Sequence, residues 1–164
     1  MELNLKPGHV VHTLIEEHKM ILGFLDELEK TDSADIKKLT KIAEHLIGAE
    51  PHHQREEKVL FPELEKRGVS GPTEVMRREH EELRPKKHKI LELCQTVSKT
   101  DFNSFKSKLK ENADFLVAML REHIAKENDI LYPMALEVIQ EEAVWQNMKK
   151  ACDKIGYCCF TPKI

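Results

Sequence analysis

His52-His53-Gln54-Arg55-Glu56-Glu57-Lys58-Val59-Leu60-Phe61-Pro62 and His123-Ile124-Ala125-Lys126-Glu127-Asn128-Asp129-Ile130-Leu131-Tyr132-Pro133 follow one pattern. Each begins with His, carries Glu four residues on, and closes on Leu-aromatic-Pro. A His and a Glu at that spacing share one face of a helix, so each copy can offer nitrogen and oxygen ligands together. Another His stands upstream of each copy, in Glu16-Glu17-His18 and in Arg78-Glu79-His80. The chain thus reads as two half-sites of the form His … His-x-x-x-Glu, enough for two metal ions or one shared centre.

Around these copies the apolar periodicity predicts four long helices. The first runs from Val10 to Lys30, with Leu14, His18, Ile21, Leu25 and Leu28 along one stripe. Thr31-Asp32-Ser33 supplies a turn and a cap for a second helix over Ala34–Lys66, which Pro51 kinks or restarts just before His52. Gly68 to Pro72 breaks the chain, and Pro72 suits the first turn of a third helix, Pro72–Ser98, interrupted at Pro85. Asp101 caps the fourth helix, which Pro133 ends or bends, and a shorter helix follows over Met134–Lys149. Trp145 reads as a core anchor of that last helix. Short loops between long amphipathic helices imply an all-α, antiparallel four-helix bundle with a short additional C-terminal helix. Residues 1–150 form the expected bundle, and 151–164 a Cys-rich tail packed on it.

A chain of 164 residues is long enough to bury a substantial core as one domain. Aromatics are only 5% and Leu, Glu and Lys dominate, a mix that favours helices over sheets. The net charge of -3 gives no footprint for nucleic acid, and no apolar run approaches a membrane span. The start, Met1 to Leu5, lacks the features of an export signal, so the expected compartment is the reducing cytoplasm. There Cys94, Cys152, Cys158 and Cys159 read as free thiols, and no C-x-x-C pair supports a zinc ribbon or a thioredoxin-like motif. The adjacent Cys158 and Cys159 leave a redox or metal-delivery role open.

A lone His on an apolar stripe is more often packed than ligating. Here His18, His52, His80 and His123 fall one on each helix, with Glu56 and Glu127 beside two of them, and burying all six is costly without a shared partner. A metal resolves those costs together. Imidazole and carboxylate without thiolate point to iron, manganese or zinc. The pattern resembles the hemerythrin-like, or HHE cation-binding, domains over about Pro7 to Ile139. That resemblance implies a non-haem di-iron site, two iron ions with possible carboxylate and oxo bridges. One iron would take His18 and His52, the other His80 and His123, and Glu56 and Glu127 would bridge them. Placing Pro62 on Pro133 aligns His52 with His123, whereas helix spacing alone allows His53 with Glu57 equally well. His53 and Glu57 stay as an extra ligand or as outer hydrogen-bonding partners.

Oxygen-carrying hemerythrins have a second His four residues after the one on the third helix, and this chain has Arg84 there. That departure implies fewer protein ligands and a cation near the metals, unless Arg84 only pairs with Glu81 or a neighbouring helix. It suits the sensing of oxygen, nitric oxide or peroxide better than oxygen carriage; similar variants occur among hemerythrin-like sensors of animals and bacterial iron-centre repair proteins. The resemblance therefore implies a binding protein for oxygen, nitric oxide or iron in sensing, storage or delivery. An enzyme on the same centre, a peroxidase, nitric oxide reductase or repair protein, is the alternative, and a metal-dependent recruiting module a third. His9, His12, His45 and His88 read as surface or supporting residues. Nothing indicates a nucleophile–base pair or a nucleotide fingerprint, and the oligomeric state is not legible.

Overall fold

The computed structural model describes residues 3–163; Met1, Glu2 and Ile164, which belong to the start and the tail read above, lie outside the described residues. Among the described residues the chain is helical throughout: α1 (Val10–Lys30), α2 (Ile36–Ile47), α3 (Glu50–Arg55), α4 (Phe61–Glu65), α5 (Gly71–Thr96), α6 (Phe102–Lys126), α7 (Tyr132–Val138) and α8 (Glu142–Ile155). Two π turns, Glu56–Leu60 and Glu127–Leu131, join α3 to α4 and α6 to α7. The four rods are therefore α1, α2–α4, α5 and α6–α7. They close an antiparallel ring in which α1 touches α2 and α6, and α5 touches α2 and α6. The all-α bundle read from the sequence is the fold. No helix among the described residues is long and apolar enough to cross a membrane.

Local chemistry explains most boundaries. His9 caps α1, its Nδ1 accepting from the Val11 N–H, and Asp101 caps α6 by accepting from Ser104. The second rod begins later than its Thr31-Asp32-Ser33 signal suggested, because Asp35 is the cap that accepts from Lys38. Pro51 restarts that rod in the first turn of α3, after a break at Gly48–Ala49. The interruption expected at Pro85 does not occur: α5 runs through it. Pro85 lies on the exposed face, where water can reach the carbonyl its missing N–H leaves unpaired.

Pro133 likewise does not end its helix. Pro62 and Pro133 lack the N–H that would close an ordinary α turn, and the preceding Phe61 and Tyr132 N–H groups bond back to the carbonyls of Glu56 and Glu127. The wide turn lets each rod pass its proline and continue. The terminal helix accordingly starts at Glu142 and not at Met134, and it extends to Ile155, past the boundary drawn at residue 150. It packs on α1, α3 and the first π turn. Trp145 anchors it, buried, with Nε1–H donating to the Ile139 carbonyl at 2.9 Å.

The core divides in two. One apolar cluster gathers Ile21, Leu25, Leu46, Leu83, Ile90, Leu116 and Leu120. The other gathers Leu14, Leu60, Phe61, Leu64, Tyr132 and Trp145 at the opposite end. Between them lies a layer of buried polar side chains, including Glu17, His18, His52, His53, Arg55, Glu56, His80, Lys87, His123 and Glu127. A polar layer spanning a bundle is expensive unless its groups satisfy one another or a cation.

Candidate metal centre

Both π turns begin on the glutamates of the repeated motif, and these carboxylates meet at the bundle axis. Donor atoms of His18, His52, Glu56 and Glu127 lie within 4.8 Å of one another, as do those of His53, His80 and His123. Glu127 reaches both ways, with Oε2 3.1 Å from His18 Nε2 and Oε1 3.0 Å from His123 Nε2. Glu56 Oε2 lies 3.6 Å from His52 Nε2, 3.4 Å from His80 Nε2 and 3.7 Å from His53 Nδ1. All seven side chains are buried.

The outer nitrogens explain the aim of the inner ones. Nδ1 of His52 lies 2.7 Å from Glu17, that of His123 2.7 Å from Glu79, that of His80 2.7 Å from Glu57, and that of His18 2.7 Å from Asn128 Oδ1. Each acceptor oxygen calls for an N–H on Nδ1, which leaves the Nε2 lone pair pointing inward. His53 is turned the other way, with Nδ1 inward and Nε2 2.9 Å from Lys87 Nζ.

These inner atoms lack partners of their own. His52 Nε2, His53 Nδ1, Glu56 Oε2 and both Glu127 oxygens are buried without a hydrogen bond of acceptable geometry. The Nε2 atoms of His80 and His123 face each other at 3.0 Å, two lone pairs in opposition unless a proton or a cation lies between them. Five imidazoles and two carboxylates converge on inner atoms that the described residues leave largely unsatisfied, a donor set that fits hard-to-borderline divalent cations. The sequence matches the description "Hemerythrin HHE cation binding domain" over residues 9–135. The chain belongs to the hemerythrin family. Among curated proteins, none matches it in sequence.

The cluster thus lies inside a hemerythrin cation-binding domain as a group of side chains that could hold metal, and its electrostatics follow from its burial. Desolvation pushes the Glu56 carboxyl well above the usual range, and the facing charge of Glu127 adds to that. Burial works against the Glu127 carboxylate too, but His123 and the contacts from His18 and His80 hold it well below. Of two facing carboxylates one stays ionised and the other favours its proton, which a bound cation would displace. Desolvation drives His52 down to about 4 despite Glu17, so at neutral pH it is an uncharged donor. Burial would raise Glu17, yet the His52 hydrogen bond and Arg55 keep it at about 2. Desolvation also lowers His53, helped by the neighbouring Lys87, and it brings Lys87 itself down to about 8.

The hemerythrin domain brings together all six residues singled out by the repeat, His18, His52, Glu56, His80, His123 and Glu127, and adds His53 to them. Glu57 is not among them: it turns outward to hold His80. Arg84 is not beside the cluster either. Its guanidinium pairs with Glu50 at 3.0 Å and Glu57 at 2.9 Å on the neighbouring rod, one residue removed from His80, and leaves Glu81 alone. The buried cation at the cluster is Lys87, one turn further along α5 on the stripe of His80, Leu83 and Ile90. A Lys in that core register was the available signal. Tyr132 was also missed; its hydroxyl donates to Glu56 Oε1 at 2.5 Å while its ring stacks on His18. The remaining histidines lie elsewhere: His9 is a cap whose ring tilts against Trp145, His12 is half-buried on α1, His45 stacks on Phe24, and His88 is exposed.

Proposed function

We propose that this hemerythrin domain holds two iron ions, one between His18 and His52 and the other among His53, His80 and His123, with Glu56 and Glu127 shared. The convergence of seven buried donors with unsatisfied inner atoms carries the reading. Bound iron would supply redox chemistry and positions for an exogenous ligand. The protein's own residues orient, seal and bias. Glu17, Glu57, Glu79 and Asn128 fix four imidazoles with Nε2 inward. The two apolar clusters on either side exclude bulk water, and a centre this deeply buried suits a small diatomic ligand or peroxide. The physiological role is the binding of oxygen, nitric oxide or iron for sensing, storage or delivery, in the cytoplasm and without nucleic acid or membrane as partner. Manganese and zinc share this donor preference, so metal identity is part of the test.

Metal analysis of the purified protein, joined to visible absorption of the reduced protein exposed to air, tests the reading. Two iron ions per chain and a reversible oxygen- or nitric-oxide-dependent band are expected. Rapid conversion to the ferric state with turnover of peroxide would instead make the centre an enzyme. Less than about one metal ion per chain, with no uptake on adding iron, would overturn the proposal.

A further inference from the structure

The ring of His52 is held by Glu17, and Glu17 is held by residues from the far end of the chain. Its Oε2 accepts from His52 at 2.7 Å. Its Oε1 accepts from Arg55 Nη2 at 2.6 Å and from the Thr161 hydroxyl at 2.5 Å. Glu17 and Arg55 are both fully enclosed. The enclosure is built by the segment after α8. Gly156, at φ 96°, caps α8 through its N–H to Cys152 and sends the chain back across the bundle. Tyr157 then lies over the Arg55 guanidinium at 4.6 Å, and Cys158 Sγ sits 3.9 Å from Arg55 Nη2. A turn closed by Thr161 N–H to the Cys158 carbonyl puts Phe160 edge-on to Phe24 and Thr161 on Glu17.

The second half-site shows what this strap adds. There Glu79 holds His123 and pairs with Lys126, the counterpart of Arg55 in the repeat, but among the described residues no such strap seals the pair and Lys126 is 31% exposed. The strap lies beyond residue 135, where the family match stops.

We infer that the C-terminal strap is a working part of the metal centre: Thr161 is a positioning residue that, through Glu17, locks the His52 imidazole with Nε2 inward. The inference rests on the proposed metal site for its consequence, though the hydrogen-bond chain exists without metal. Removing the hydroxyl leaves Glu17 with one donor fewer on Oε1, so the carboxylate and the ring it orients gain freedom. Loss of an outer partner of this kind typically costs ten- to a hundredfold in metal affinity.

The test uses the full chain with 15N-labelled histidine, as metal-free protein and loaded with zinc as a redox-silent probe. Thr161→Val, Thr161→Ala and Thr161→Ser are compared with wild type by the Nδ1–H resonances of the inner histidines and by zinc transfer to a chromophoric chelator. In Thr161→Val and Thr161→Ala the His52 resonance should shift and exchange faster with water while the other inner histidines stay in place, and zinc should leave about tenfold faster. Thr161→Ser should match wild type. An unchanged His52 resonance, or a shift shared by all the inner histidines, would overturn the inference and leave the metal site standing. Failure of the wild type to hold zinc or iron would remove the metal site, and the metal-free resonances would still decide whether the strap positions His52.

Discussion

The two halves of the centre are built to one plan, and they differ where the plan is broken. Aligning the motifs sets Glu17 with Glu79, His18 with His80, Arg55 with Lys126, Glu57 with Asn128, and Phe61 with Tyr132. The contacts follow that alignment and cross between halves. Glu57 of the first motif holds His80, and Asn128 of the second holds His18. Phe61 stacks on His80 as Tyr132 stacks on His18. Each half thus completes the other. The departures all concern how the halves treat charge and solvent. His53 stands where the second motif has Ile124, Tyr132 gives Glu56 a hydrogen bond that Phe61 cannot give Glu127, and only Glu17–Arg55 is sealed. Equivalent donors have been placed in unequal surroundings, so the two metal positions proposed above would differ from each other.

That comparison can be broken most severely at the sealed pair. Arg55→Met leaves the Glu17 carboxylate buried and uncompensated, and denaturant unfolding should show a loss of about 3–5 kcal/mol. Lys126→Met, at the exposed counterpart, should cost less than about 1 kcal/mol. Comparable losses would mean that the halves are not electrostatically distinct.

His53→Ile makes the motifs alike at that position. It should weaken metal binding by tenfold or more and leave one ion per chain bound firmly, as read by metal analysis after dialysis. His52→Ala should empty the other position. Two ions retained by His53→Ile would place His53 outside the ligand set.

The equivalent histidines should also titrate in opposite senses in the metal-free protein. Desolvation lowers His52 to about 4, so between pH 6.5 and about 4 the unfolded chain takes up a proton that the native site refuses, and stability falls as pH falls. Glu17, held at about 2, extends that loss below the ordinary carboxylate range as pH drops through about 2. His123 behaves oppositely. Desolvation opposes its charge, but Glu127 and Glu79 raise it above 6.5, so its contribution is present at low pH and is lost as pH rises through the raised value. Histidine NMR titration would show both, and parallel titration of the two rings would refute the asymmetry.

Tyr132→Phe restores the symmetry at the aromatic position. With the Glu56 hydrogen bond gone, the denaturation midpoint should fall by the equivalent of about 1–2 kcal/mol. A small effect is also expected at Gly156→Ala. A Cβ there meets no neighbour, so the cost of about 1 kcal/mol is backbone strain at positive φ alone, seen as faster amide exchange in residues 157–161.

Much of the fold was legible because it rests on apolar stripes at helical spacing and on caps such as Asp101. The errors share a physical cause. Period-based reading assumes that Pro stops a helix, and it does not see that a wide turn or a solvent-facing carbonyl lets the rod continue past Pro133 and Pro85. Six site residues were legible because the motif states them twice. Lys87, Tyr132 and the outer carboxylates were not, because their roles depend on partners set by the crossing of rods: Glu17 serves His52 and not its neighbour His18, and Asn128 serves a ring 110 residues away. The free-thiol reading of the cysteines agrees with their state, Cys158 being buried with its thiol pushed up to about 12, chiefly by desolvation.

The π turns carry a consequence for how this chain tolerates insertion and deletion. Each holds one residue more than an α turn needs, so deleting Val59 or Ile130 would draw it back to an α turn at the local cost of the one hydrogen bond that Pro62 or Pro133 cannot donate. Yet every side chain beyond the deletion would rotate by about 100° relative to the glutamate before it. Phe61 or Tyr132 would swing away from the opposite half's histidine, and the apolar cluster beneath would lose its register. A gap that length-based comparison scores as trivial would uncouple the two halves of the centre.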